Sequence, residues 1–350
     1  MTVIVSKPAV NLREKLAELD KPAGIAGEAM LRAETPQEQF NLIGAGRRNL
    51  IINGAMQVWQ RGTTFTNTGG AYNADRWYVD SNGNTGGRST DAPDDFAYSL
   101  QVDPSTGNAA IRQAIELPAA GVGGIFRSGN SFTLSFYIKS ENGGEAINIF
   151  VASSTLVSGS TTVHVNDTST GLVTSTSWTR YTYTFACKDV GGSDTCFNVV
   201  PYVSSPDGDV YFTGVQLELG KVATPFEHRS YGEELALCQR YYYRVSTDSI
   251  SGTMAVGFAT SATGARGTIK FPVTMRVPPT GIEHTGSAAN YKVAYAVTAA
   301  TCSSVPTFAN ATNDMAGVQF TVASGLTAGH GIVIERNNGT AYIGFTGAEL

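Results

Sequence analysis

The 350-residue chain carries little charge, few cysteines and no long apolar run. Only 15% of its residues are charged, and 24 Lys plus Arg against 29 Asp plus Glu leave a formal charge of -5. No basic cluster is present to displace counterions from phosphate, which excludes nucleic acid as a partner. Nothing approaches the ~20 consecutive apolar residues of a membrane-spanning helix. The opening MTVIVSKPAVNLREK lacks the basic start and cleavage site of a signal peptide, so synthesis in a reducing cytosol is expected. Cys187, Cys196, Cys238 and Cys302 show no CxxC spacing. They read as unpaired small hydrophobes, the alternative being a Cys187–Cys196 disulfide across a hairpin loop, KDVGGSDT. His164, His228, His284 and His330 are scattered, and GxSxG, GxGxxG, P-loop and HExxH motifs are all missing. No catalytic residue is therefore assigned.

Glycine is plentiful at 39, with Ser and Thr throughout, a profile of all-β proteins with many polar turns. The expected fold class is all-β with short helices, arranged in four parts. Residues 1–48 form a helical arm. There Leu12, Leu16 and Leu19 fall at i, i+4 and i+7 behind Asn11 as cap, and Thr35-Pro36 starts a second short helix. Helices this short are marginal alone, so the Leu12-Leu16-Leu19 stripe is expected to serve anchoring or oligomerisation.

Residues 49–228 change to period two. In SFTLSFYIKS, Phe132, Leu134, Phe136 and Ile138 alternate with polar neighbours, and similar runs separated by Gly, Ser, Asn and Asp turns predict a jelly-roll β-sandwich. NLIINGAMQVWQRG, residues 49–62, is expected to be its first strand, with Asn53-Gly54 giving a positive-φ turn and Trp59 packing inward. Residues 229–244 form a connector helix, in which Ser230 and Glu233 make a capping box and Leu235, Leu237 and Cys238 share a face. Residues 245–350 form a smaller C-terminal β-sandwich. Its alternating run Ile269 to Val277 reads as a strand that Pro272 confines to an edge or a bulge.

NLIINGAMQVWQRG, YNADRWYVD, SFTLSFYIKS, GVQLELGKVATPFEHRSYGEELALCQRYYYRV and KFPVTMRVPPT together resemble an architecture of bacteriophage tail-fibre and related virion appendage proteins over residues 49–280. The first strand is also similar to that of jelly-roll carbohydrate-binding modules. The resemblance implies a non-enzymatic virion structural protein, made in the host cytoplasm and exposed on the particle. It further implies a homotrimer held to other virion proteins, at a tail adaptor or portal region, through residues 1–48, and contact with host surface polysaccharide. A capsid decoration fibre and a polysaccharide hydrolase are the alternatives. The hydrolase would use paired carboxylates such as Asp94-Asp95, whose simpler reading is a solvated loop.

Trp59, Trp77 and Trp178 could stack on sugars, but strand-like alternation favours the core. Trp59, Arg61, Asp75, Arg76 and Trp77 are accordingly assigned to structure, with Arg61 and Asp75 as an ion pair. DSNGNTGG alternates Asp80, Asn82 and Asn84 like a calcium loop, but Thr85 stands where glycine is needed, so a strand connection is expected. No cofactor is assigned. A structural calcium near Asn53 and Asp209 follows only from analogy with jelly-roll modules. Receptor contacts are expected in the polar loops TGIEHTGSAANYK and ASGLTAGHG.

Overall fold

The computed structural model describes residues 48–350 except 67–69, 81–84, 105–106, 118–123, 156–159, 248 and 297. Leu12, Leu16, Leu19, Asn82 and Asn84 lie outside the described residues. The described chain is all-β with one α-helix, Tyr231–Gln239.

Eight strands from Ser99–Asp103 to Val210–Leu219 pair antiparallel in two sheets. Numbered among themselves, they run 1-8-3-6 in one sheet and 2-7-4-5 in the other. The pairs 1·8, 2·7, 3·6 and 4·5 are those of one long hairpin ribbon rolled up, which is a jelly roll. Two short strands widen each sheet to six. The alternation in Ser131–Ser140 decides its pleat: Phe132, Leu134, Phe136 and Ile138 are fully buried, and Thr133, Ser135, Tyr137 and Lys139 form the outer face. Aromatic rings fill the space between the sheets, with Phe126 at 5.1 Å from Phe132 and 4.4 Å from Phe197.

Three expectations need correction. NLIINGAMQVWQRG is not a strand. Side chains take over the hydrogen bonds a ladder would make: Asn49 Oδ1 accepts from Ile51 N and Leu217 N, and Asn53 Oδ1 from Gln57 N and Val58 N. Asn53 does adopt φ +56°, so the turn forms, and Trp59 is half-buried against the core. The segment docks at a bulge in Val210–Leu219, where the register shifts between Thr213 and Gln216. There Val215 N donates to Gly54 O at 3.0 Å, and a Cβ on Gly54 would stand 2.1 Å from Val215 O.

KDVGGSDT is not a hairpin loop, because the strands it joins belong to opposite sheets. All four cysteines are free and buried. The third correction is at Ile269–Val277: the strand stops at Lys270, since Phe271 precedes Pro272 and Pro272 has no N–H for a ladder. Phe271 and Met275 still enter the second core, now from irregular backbone.

That second core lies between a seven-stranded sheet and a three-stranded sheet, Tyr243–Ser246 and Gly281–His284 flanking Tyr342–Thr346. Ser230 caps the intervening helix by accepting from Glu233 N at 3.3 Å. Its buried residues are Glu234 and Cys238, whereas Leu235 and Leu237 are half-buried. The helix is turned by the ionic partners of Glu234 rather than by its leucines.

Candidate functional site

The residues assigned to structure converge where the two sandwiches meet. Trp77 is fully buried and donates Nε1–H to Asn53 O at 2.8 Å. Asn53 Nδ2 donates to Val58 O and Asp75 O, and Asn53 N donates to Glu234 Oε1 at 2.5 Å. Arg229 closes the opening segment from the helix side, with bonds to Asn49 O and Ile51 O and an ion pair to Glu234 at 3.3 Å.

Two arginines then share one carboxylate from the far end of the sequence. Arg61 Nη2 lies 3.1 Å from Glu349 Oε1, and Arg76 Nη1 pairs with Glu349 Oε2. Arg61 also pairs with Asp75 at 3.4 Å, and Gln60 Nε2 donates to Asp75 Oδ2 at 2.8 Å. The guanidinium planes are stacked: Arg61 on Tyr242 and Arg76 on Tyr241, each at 3.6 Å from the ring centroid. Arg76 holds φ +71° to reach this position. Tyr242 Oη bonds to Glu283, Tyr72 Oη to Leu350 O, and Arg276 to the carbonyls of Ala348 and Glu349. Arg244 caps Gln60 O and Arg61 O and stacks on Tyr342 at 3.3 Å.

Burial raises the Asp75 carboxyl to about 6 despite Arg61 and the Gln60 hydrogen bonds. Burial alone would lower the Arg76 guanidinium, but Glu349 and Tyr241 hold it above its ordinary value. Taking such charges out of water costs several kcal/mol per ion, roughly offset only when every partner is in place. Removing any one partner while the joint stays closed would therefore strand a desolvated charge. Sequence spacing gave no sign of Glu349, Glu283, Glu234 or Tyr72, since each meets its partner only through the fold. The one local signal was the run Arg240-Tyr241-Tyr242-Tyr243-Arg244, cations beside rings.

A cleft of about 270 Å³ opens beside the joint between Ala109–Glu116 and the helix. Its polar groups are largely committed: Gln113 exchanges two bonds with Ile52, and Glu116 receives Arg240 at 3.0 Å and Tyr241 Oη at 3.0 Å. Arg76 Nε stays unpaired and buried beneath the Tyr241 ring.

Among the described residues, Cys187 beside His164 is the geometric candidate for nucleophilic chemistry. Cys187 Sγ lies 3.7 Å from His164 Nδ1. Burial pushes the thiol up to about 11 and, with Lys188, pushes His164 down to about 4, so neither a thiolate nor an imidazolium forms near neutrality. Lys188 N already donates to His164 Nδ1 at 3.1 Å. Asp94 and Asp95 are exposed. Asp209 Oδ2 accepts from Gln101 and Tyr211, Asp80 pairs with Arg112, and Asn53 Oδ1 accepts from Gln57 N and Val58 N. Among the described residues, no group of three or more His, Cys, Asp or Glu is placed to hold a metal ion.

No protein-family model matches the chain, and no curated protein matches it. Several solved structures are similar over about half of it. The CBM22-1 xylan-binding domain from Paenibacillus barcinonensis Xyn10C is 12% identical, covering 51% of this chain and 99% of that one at TM-score 0.32. The enzymatically active domain of bacteriophage CBA120 tailspike protein 4 is 15% identical, covering 49% and 21%, also at TM-score 0.32. The Stig cyclase FisC from Fischerella sp. TAU is 13% identical, covering 50% and 98% at TM-score 0.34.

Of the three tryptophans expected in the core, Trp178 is the exception. It stands half-exposed at the outer face of the first sheet, its Nε1 bonded to Asp91 Oδ1 at 2.8 Å.

Proposed function

We propose that the chain is a structural component of a bacteriophage virion, a homotrimeric tail fibre attached through residues 1–48 that binds host-surface glycan without cleaving it. The observation carrying this reading is where its most specific sequence blocks go. NLIINGAMQVWQRG, YNADRWYVD and the run from Arg229 to Arg244 all meet in the joint, together with Glu349. Those segments are spent on fixing one sandwich against the next rather than on a reactive centre. A fibre needs that property, because a recognition surface is useful only if its position relative to the anchor is held.

The deciding experiment is electron microscopy of particles carrying an epitope on this protein. Label on the tail supports the reading, and label on the head replaces it with a capsid fibre. Sugars released from host envelope by the purified protein would replace it with a hydrolase. Light scattering at micromolar concentration should give three times the chain mass, and a monomer would remove the trimer for the isolated protein. Leu16→Asp should weaken attachment with both β cores intact, since a charge would enter the proposed contact.

A further inference from the structure

The outer face of the jelly roll's first sheet carries a built platform at one end. Lys139 pairs by register with Tyr211, and Tyr211 with Gln101, so the three stand in one row across neighbouring strands. Trp178 flanks the row just before the strand Thr179–Ala186, its ring 6.4 Å from that of Tyr211 at 70°. Asp91 pins the arrangement from above: Oδ1 accepts from Trp178 and Oδ2 pairs with Lys139, whose ammonium also lies 5.6 Å from the Tyr211 ring centroid. At the other side Asp209 accepts from Gln101 and from Tyr211 Oη. Rings, hydroxyl and carboxylates are thus fixed before any ligand arrives, while the neighbouring Tyr137 is covered by Phe96, which packs on Phe226.

We propose that Trp178, Tyr211, Lys139, Asp91, Gln101 and Asp209 form a glycan-binding platform for neutral hexoses or N-acetylhexosamines. This rests on the glycan-binding reading above and gives it a location. Aromatic faces suit the apolar C–H side of a pyranose, and neighbouring carboxylates and amide accept or donate to its hydroxyls. Charge selects the class. Lys139 is neutralised by Asp91, and Asp209 with Glu141, whose Oε2 accepts from Asp209 N, leaves the platform acidic. Uronic and sialic acids would be repelled. The platform belongs to the jelly roll, not to the C-terminal loops, so receptor contact moves there from TGIEHTGSAANYK and ASGLTAGHG.

The test uses the full chain on an array of neutral oligosaccharides beside sialylated and uronate-containing ones. Trp178→Ala and Tyr211→Ala should each weaken neutral-glycan binding at least about tenfold, with unchanged melting curves. Trp178→Phe should retain part of it, because the stacking face persists. Unaltered binding in both alanine variants would overturn the platform while leaving glycan recognition standing elsewhere on the chain. Preference for acidic glycans would overturn the assigned class. No binding to any glycan would overturn the platform and the glycan-binding reading together.

Discussion

The jelly roll sets six strands against six around stacked phenylalanines, whereas the C-terminal region sets seven against three. Matched sheets cover each other's inner faces. The seven-stranded sheet also carries apolar residues on its outer face, with Val256, Phe258 and Met315 at 58%, 50% and 45% exposure. Strand alternation therefore means different things in the two regions. In Ser131–Ser140 the apolar residues Phe132, Leu134, Phe136 and Ile138 keep to the core-facing phase, but in Thr253–Ala259 apolar residues occupy both phases, and Val256 and Phe258 point outward. The smaller region gains closure from the joint instead, where Glu349 ties its end to the arginines of the larger one.

Calorimetry can separate the two regions. Trp77→Ala, which removes a buried indole and one of the two hydrogen bonds that Asn53 O accepts, should cost about 3–5 kcal/mol. If the regions are distinct, the jelly-roll transition falls while the C-terminal one holds. A common fall would make them one cooperative unit. Glu349→Ala leaves Arg76 buried without its carboxylate and should cost about 3 kcal/mol. A single unfolding transition should then split in two, and a transition that stays single would deny the joint its coupling role. Cutting the chain after Tyr243 is a poorer probe, because it strips Glu349 from the joint and removes the strands that complete the three-stranded sheet.

The pH response sharpens the same point. The folded-state carboxyl of Asp75 titrates near 6, above its ordinary 3.8, so the folded protein holds that proton more tightly than the unfolded chain. The cost of burying the charge is present above about pH 6 and is relieved as pH falls from 6 toward 4. Stability contributed by this group should rise over that window by about 1–3 kcal/mol, and Asp75→Asn should flatten the profile there. Smallest of all, Phe258→Ser should shift stability by less than about 0.5 kcal/mol. A clearly larger loss, measured at micromolar concentration, would mean that another chain covers the open face.

Much of the fold was legible because period-two alternation is a local property that burial imposes on each strand separately. Ser131–Ser140 could be read from ten letters. Edges of strands were less legible where a side chain replaced the ladder, as Asn49 and Asn53 do, or where Pro272 ended it. The joint was almost illegible: Arg61 and Glu349 are separated by 288 positions, and a lone glutamate near a chain end has no signature of its partner. Trp178 was misjudged as core because alternation reports the pleat but not which of its faces meets water.

The shared carboxylate also sets a timetable. Glu349 follows Leu219, the end of the last jelly-roll strand, by 130 positions (349 − 219), which at ribosomal speed is roughly 6–26 s of synthesis. A β-sandwich folds in milliseconds to seconds. A jelly roll that folds on that timescale is complete before its final counter-ion exists, and until then Arg61 and Arg76 lack the carboxylate they share.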